Sequence, residues 1–140
     1  AALARVEALE NGYDEAIMLN LHGKIAEGSA ENIFVVKDDI IQTPPLSAGG
    51  LGGITRDSVI QIIEENGGFV IERDLQRDDL YCADEIFMTG TAAEVKSVTQ
   101  IDKVIIGNAK MGKITKALQK SFSDVTVGKD ERFLPWLTFI

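Results

Sequence analysis

Asn32-Ile33-Phe34-Val35-Val36-Lys37-Asp38-Asp39-Ile40-Ile41-Gln42-Thr43 sets two apolar runs on either side of a charged triplet. Aspartate tolerates left-handed backbone, so Lys37-Asp38-Asp39 reads as a turn, and the β-branched residues around it favour extended chain. The stretch predicts two short strands, the first of them buried. Beyond Thr43 the composition changes: Pro44, Pro45, Ser47, Gly49, Gly50, Gly52 and Gly53 crowd into one loop. A glycine loop that ends where a helix starts can bring backbone close to a ligand. That helix is predicted over residues 55–66. Val59, Ile62 and Ile63 have helical spacing, with Arg56, Asp57, Gln61, Glu64 and Glu65 on the other side and Asn66-Gly67-Gly68 as the stop.

Upstream, Ala1 to Leu9 read as a helix with Leu3, Val6 and Leu9 on one face and Asn11-Gly12 as its stop. It starts at Ala1 without an N-cap, which leads us to expect a part of a longer chain. Residues 16–19 predict a buried strand, and His22-Gly23 turns it into Lys24-Ile25-Ala26. Downstream, residues 69–71 predict a strand and residues 75–81 a short helix or turn. Residues 86–88 predict a buried strand that runs into the loop Thr89-Gly90-Thr91-Ala92-Ala93. Residues 95–101 and 104–106 read as a strand pair around Asp102-Lys103. A last helix over residues 113–125 would bury Ile114, Leu118 and Phe122, and the tail carries Trp136. Strands and helices mix without strict alternation, which favours a mixed α/β fold around a mixed sheet. Neither a repeat nor a linker divides residues 1–140, so one domain is expected.

Composition excludes several function classes. The chain has 140 residues and a mass of 15.2 kDa, enough for a core without disulfide or metal staples. Fourteen Lys plus Arg against 22 Asp plus Glu give a net charge of −8, which disfavours non-specific binding to nucleic acid or anionic membrane. One cysteine, Cys82, and one histidine, His22, cannot build a zinc cluster. Cys82 reads as a small buried hydrophobe and His22 as a solvated turn residue. A single cysteine and no signal-like start fit a reducing cytoplasm.

Three stretches can carry chemistry. In Glu27-Gly28-Ser29-Ala30-Glu31-Asn32 a carboxylate stands before a buried strand; partly desolvated, it would seek a cation such as a protonated ring nitrogen, while a solvated turn glutamate is the alternative. In Leu51-Gly52-Gly53-Ile54-Thr55-Arg56 the free amides of a helix start and a hydroxyl make an anion site, or Thr55 is an ordinary cap. That loop lacks the lysine of a P-loop and the spacing of a dinucleotide fingerprint. In Thr89-Gly90-Thr91-Ala92-Ala93 small residues expose amides to an incoming anion, or form a hairpin loop. Two anion-friendly loops and one carboxylate suit a ligand with a phosphate, a carboxylate and a basic ring nitrogen.

At these residues the sequence resembles the class IV pyridoxal-phosphate aminotransferases, the fold type IV enzymes. The resemblance rests on Glu27, Asn32-Ile33-Phe34, Ile41-Gln42-Thr43 and Leu51-Gly52-Gly53-Ile54-Thr55-Arg56 at the family's spacing. Gly12-Tyr13-Asp14-Glu15-Ala16, Ala83-Asp84-Glu85-Ile86-Phe87 and Thr89-Gly90-Thr91-Ala92-Ala93-Glu94-Val95 look most like the branched-chain amino acid branch. The resemblance implies a large domain whose mixed sheet curls into a pseudobarrel with flanking helices. It implies pyridoxal 5′-phosphate as cofactor, and transamination between Leu, Ile or Val and 2-oxoglutarate in a homodimer or larger homo-oligomer. Glu27 would pair with the pyridine nitrogen and Leu51 would pack on the ring. Ile54, Thr55 and Thr91 would hold the phosphate, and the amides of Thr91 and Ala92 would receive the substrate carboxylate.

Three features depart from the family. Its Schiff-base lysine lies upstream of the first helix, so here it would lie upstream of Ala1. None of the nine lysines of this chain occupies that place, and the family's smaller N-terminal domain is also missing. Gly52 stands where the family commonly has proline. The chain is therefore expected to be the C-terminal, cofactor-binding domain of its parent enzyme and inactive alone. A D-amino acid aminotransferase, an aminodeoxychorismate lyase and a non-catalytic module of the same fold are the alternatives.

Overall fold

The structure, a computed structural model, describes residues 2–136. In chain order they form α1 (Ala2–Glu10), β1 (Ile17–Leu19), β2 (Ile25–Gly28), β3 (Asn32–Lys37), β4 (Ile40–Thr43), α2 (Ile54–Glu65), β5 (Val70–Glu72), α3 (Arg77–Tyr81), β6 (Glu85–Gly90), β7 (Glu94–Val98), β8 (Gln100–Ile101), β9 (Val104–Ile105) and α4 (Lys113–Thr126). Short 3₁₀ segments occupy Leu46–Ala48 and Glu131–Trp136. The main sheet has the order β5-β4-β3-β6-β7, and β1-β2 and β8-β9 form two small sheets. This is the mixed α/β architecture expected, built around a mixed five-stranded sheet.

The β3–β4 hairpin sits at the centre. Asp38 and Asp39 both take left-handed backbone, with φ of 50° and 63°, which matches the twist of the strands they join. β3 and β6 are apolar on both faces because both faces are covered. Ile33, Val35, Ile86 and Met88 pack with Ile25, Leu75 and Leu80 on one side; Phe34, Val36 and Phe87 pack with Val59, Ile63 and Leu118 on the other. The Phe34 and Phe87 rings stack with centroids 4.8 Å apart. Each such side chain contributes roughly 1.5–3 kcal/mol by leaving water.

Among the described residues only β4 and β5 run parallel, and α2 is the crossover between them. A parallel pair needs a connection that returns the chain to the end it left. β4 and β6 both run antiparallel to β3, so they finish at the same end of the sheet. Asn32, Pro44, the start of α2, Gly90 and the start of β7 are thereby gathered at one end.

Some expectations change. The first helix is found from Ala2 to Glu10, one residue further than Leu9, while Ala1, where the sequence reading begins it, lies outside the described residues. Residues 95–101 do not pair as a whole with 104–106: β7 pairs with β6, and only Gln100-Ile101 and Val104-Ile105 form the small hairpin. Thr89 and Gly90 belong to β6, which leaves Thr91-Ala92-Ala93 as the turn. β1 is half-buried, not buried, and Leu19 is exposed, because β1 pairs only with β2. Leu3, Val6 and Leu9 on α1 are exposed, with no residue of that helix buried. Cys82 is exposed at the C-cap of α3, since that helix buries only Leu80. His22 is exposed in its turn, as expected. Among the described residues no helix is long and apolar enough to cross a membrane, and no three His, Cys, Asp or Glu side chains converge as a metal site.

α4 is capped from a distance. Its N-cap, Gly112, has no side chain to offer, so the Glu85 carboxylate on β6 accepts from Ile114 N–H at 3.3 Å, Thr115 N–H at 2.9 Å and the Thr115 hydroxyl at 3.0 Å. A Cβ on Gly112 would stand 2.0 Å from Glu85 Cδ, so a larger residue there would displace the capping carboxylate. Glu85→Ala leaves three donors without their acceptor and is expected to lower stability by about 1–3 kcal/mol in urea unfolding. An unchanged midpoint would remove Glu85 from that role.

Candidate functional site

The site lies where β4 and β6 finish. The ten residues between β4 and α2 cross this end and are tied down from two sides. Glu27, half-buried on β2, accepts a hydrogen bond from Leu51 N–H at 2.9 Å. Asn32, at the start of β3, donates from Nδ2 to the Leu51 carbonyl at 2.7 Å. The carboxylate and the amide thus hold opposite sides of one residue's backbone, and Leu51 itself stays 78% exposed.

Gly53 is the N-cap of α2, and no side chain caps the helix. A Cβ there would meet Asn32 Oδ1 at 2.6 Å, so a larger residue would displace the Asn32 amide that holds the loop. The first bond into the helix is Asp57 N–H to the Gly53 carbonyl at 3.1 Å. The amides of Ile54, Thr55 and Arg56 precede it and have no carbonyl one turn back, which leaves the positive end of the helix open. Thr55 is buried, while Ile54 is 83% exposed.

Arg56 is not on the solvent side, as its helical position suggested; it is 3% exposed. Its guanidinium pairs with Glu72 on β5 at 2.7 Å and with Asp57 at 3.6 Å. A buried cation needs such a partner, and this one links the first turn of α2 to the far end of the crossover. The β5 strand is therefore coupled to the helix start through a charge, with Glu72 opposite Thr43 in the sheet.

The β6–β7 turn brings the third stretch to the same end. Thr91 and Ala92 are on the turn, Thr91 exposed, and Glu94 closes it with a left-handed φ of 56°. Gly90 lies against Glu31 and the Ala30 carbonyl. Sheet pairing sets Thr89 opposite Asn32, so the strand that carries Thr91 is the neighbour of the strand that holds the loop. Glu27, Leu51, Ile54 and Thr55 are joined by direct contacts or by chain; among the described residues no hydrogen bond ties Thr91 or Ala92 to α2. In the sequence Asn32 has only a place in a motif, and its hold on Leu51 is a long-range contact that no local pattern announces. The carboxylate and the open helix end can take a ligand that carries an anion and a cationic ring nitrogen.

Beside this end, α1, β1 and β7 wall a cleft of about 670 Å³. Glu31 borders it, and burial, then the nearby Glu15 charge, raise its pKa, with Lys96 and Arg5 acting in the opposite sense. A raised carboxyl pKa means that the folded state binds more protons than the unfolded one. Stability then falls as pH rises from the ordinary carboxylate range through the raised value. Glu31→Gln lacks this loss. Unfolding midpoints at about pH 4 and pH 7 are expected to show the variant gaining on the native protein at the higher pH; parallel midpoints would mean that Glu31 titrates normally.

Comparison with known proteins bears on this end of the sheet. The family model for Amino-transferase class IV matches residues 1–101. The "Probable branched-chain-amino-acid aminotransferase" of Aquifex aeolicus (strain VF5) is 48% identical over 139 residues, 99% of this chain and 45% of that protein. The branched-chain-amino-acid aminotransferase of Pseudomonas aeruginosa is 44% identical over 138 residues, again 99% of this chain and 45% of the relative. The branched-chain amino acid aminotransferase of Thermobaculum terrenum, solved in its PLP form, superposes with a TM-score of 0.93 at 41% identity, over 97% of this chain and 45% of that one. The chain spans a little under half the length of the relatives it matches.

Proposed function

The chain belongs to the class IV aminotransferases, and on that premise we propose that it is the cofactor-holding domain of a branched-chain aminotransferase. The proposed reaction moves an amino group between Leu, Ile or Val and 2-oxoglutarate with pyridoxal 5′-phosphate. The observation that carries this reading is the pairing of Glu27 with the loop that ends in the uncapped start of α2. A carboxylate at one side and a cluster of N–H donors at the other match a protonated pyridine and its phosphate. The residues present fit the group.

When bound, the cofactor supplies an electron sink for the charge left as the substrate Cα loses its proton. Glu27 keeps the ring nitrogen protonated; Leu51 N–H fixes one of its oxygens and orients the other. Leu51 offers an exposed apolar side chain to a ring face. Ile54 and Thr55 amides and the Thr55 hydroxyl hold the phosphate, joined by Thr91. The amides of Thr91 and Ala92 orient the substrate carboxylate, which aims the Cα–H bond. None of the three loops carries a lysine, so we assign the lysine that moves the proton to chain upstream of Ala1. Small-molecule amino acids and 2-oxo acids are the partners, in a cytoplasmic homodimer or larger homo-oligomer.

Glu27→Gln in the full-length protein removes the charge opposite the ring nitrogen. It is expected to lower kcat by roughly 10²-fold or more in an L-leucine:2-oxoglutarate assay, since several kcal/mol of charge stabilisation are lost. An unchanged kcat would exclude Glu27 from this role. A full-length protein that turned over D-alanine and not L-leucine would overturn the substrate assignment while keeping the cofactor site. The 140 residues expressed alone are expected to give no turnover; sustained turnover would contradict the assignment of the lysine.

A further inference from the structure

We propose that Thr89 is a further ligand of the phosphate, its buried hydroxyl donating to the anion held at the start of α2. The inference rests on the cofactor reading above and adds a residue to it. Thr89 is 1% exposed, and its Oγ1 is a fully buried side-chain oxygen without a hydrogen-bond partner among the described residues. Buried hydroxyls nearly always find a partner, because an unmet one costs stability.

The strand pattern says where this hydroxyl lies. β6 alternates, and Thr89 falls on the face of Phe87, which is the face α2 covers. It stands directly opposite Asn32 across β3 and opposite Val95 across β7. Asn32 Oδ1 lies against Gly53, the N-cap of α2. Cross-strand neighbours have Cβ atoms roughly 5 Å apart, so one residue separates the Thr89 hydroxyl from the helix start.

Its protein surroundings leave it unmet. Val95 is apolar, and Asn32, whose Nδ2 donates to the Leu51 carbonyl, makes no hydrogen bond with it. The open groups at this end are the first amides of α2, and these donate. A hydroxyl and a set of amides that all lack an acceptor describe a site for an anion. A phosphate has three oxygens to share among them, whereas the Glu27 carboxylate is already turned to Leu51 N–H.

Thr89→Val keeps the shape and removes the hydroxyl; Thr89→Ser keeps the hydroxyl. In the full-length protein, dissociation constants for pyridoxal 5′-phosphate and for pyridoxal, which lacks the phosphate, are read by absorbance. Unfolding midpoints are measured without ligand. A hydrogen bond to a charged group predicts that Thr89→Val weakens pyridoxal 5′-phosphate by about 10-fold or more. Pyridoxal binding should be unchanged, the unliganded midpoint should not fall, and Thr89→Ser should stay within about 3-fold of native. Equal affinity for pyridoxal 5′-phosphate in native and Thr89→Val proteins would overturn the proposal alone. So would equal losses for both probes, or a Thr89→Val protein that no longer folds, since a hydroxyl without a partner is not needed for folding. A native protein that binds neither probe would overturn the cofactor reading itself.

Discussion

The parallel pairing of β4 with β5 is the constraint on which the rest depends. Two parallel neighbours cannot be joined by a tight turn, so the chain must leave the sheet, cross a face and return. α2 makes that crossing, and its start is therefore pinned to the end of the sheet where β4 stops. Because β6 runs the same way as β4, it delivers Thr89, Gly90 and the following turn to that end too. A site assembled from residues 44–56 and 89–94, with Asn32 at the start of β3, follows from these pairings.

Electrostatics at this end run against the chain as a whole. The net charge is −8, yet the loop between β4 and α2 presents donors and no exposed carboxylate of its own. The positive character comes from backbone: an uncapped helix start, with Arg56 buried in its first turn. Arg56 is neutralised by Glu72 and Asp57, so its main effect is to fasten the helix to β5. Glu27 and Asn32 fasten the loop ahead of it. Donors held from both sides lose little freedom when an anion arrives, and preorganisation of this kind strengthens binding. Contrast α4, whose equally capless start is filled by Glu85 and is closed to ligands.

Much of this was legible in the sequence because it is local. The β3–β4 hairpin, the glycine loop, α2 with its buried Val59, Ile62 and Ile63, and α4 with Leu118 all follow from turn residues and periodicity. The motif residues placed the family and the three loops. Pairings were not legible: β7 lies close in sequence to both β6 and β9, and local pattern does not say which it joins. Nor was burial set by partners far along the chain. Arg56 reads as a solvated residue until Glu72, 16 positions on, supplies its charge. Cys82 reads as buried until α3 proves to cover only Leu80. The unpartnered hydroxyl of Thr89 has no sequence signal at all, since a threonine in a strand is ordinary.

One open helix start and one carboxylate are held to form a single cofactor site, and a crystal structure of the full-length protein with pyridoxal 5′-phosphate tests this most directly. The phosphate is expected within hydrogen-bond reach of the Ile54 and Thr55 amides, with the Glu27 carboxylate on the ring nitrogen. A phosphate bound elsewhere, in the cleft between α1 and β7 for instance, or a ring nitrogen turned away from Glu27, would contradict it.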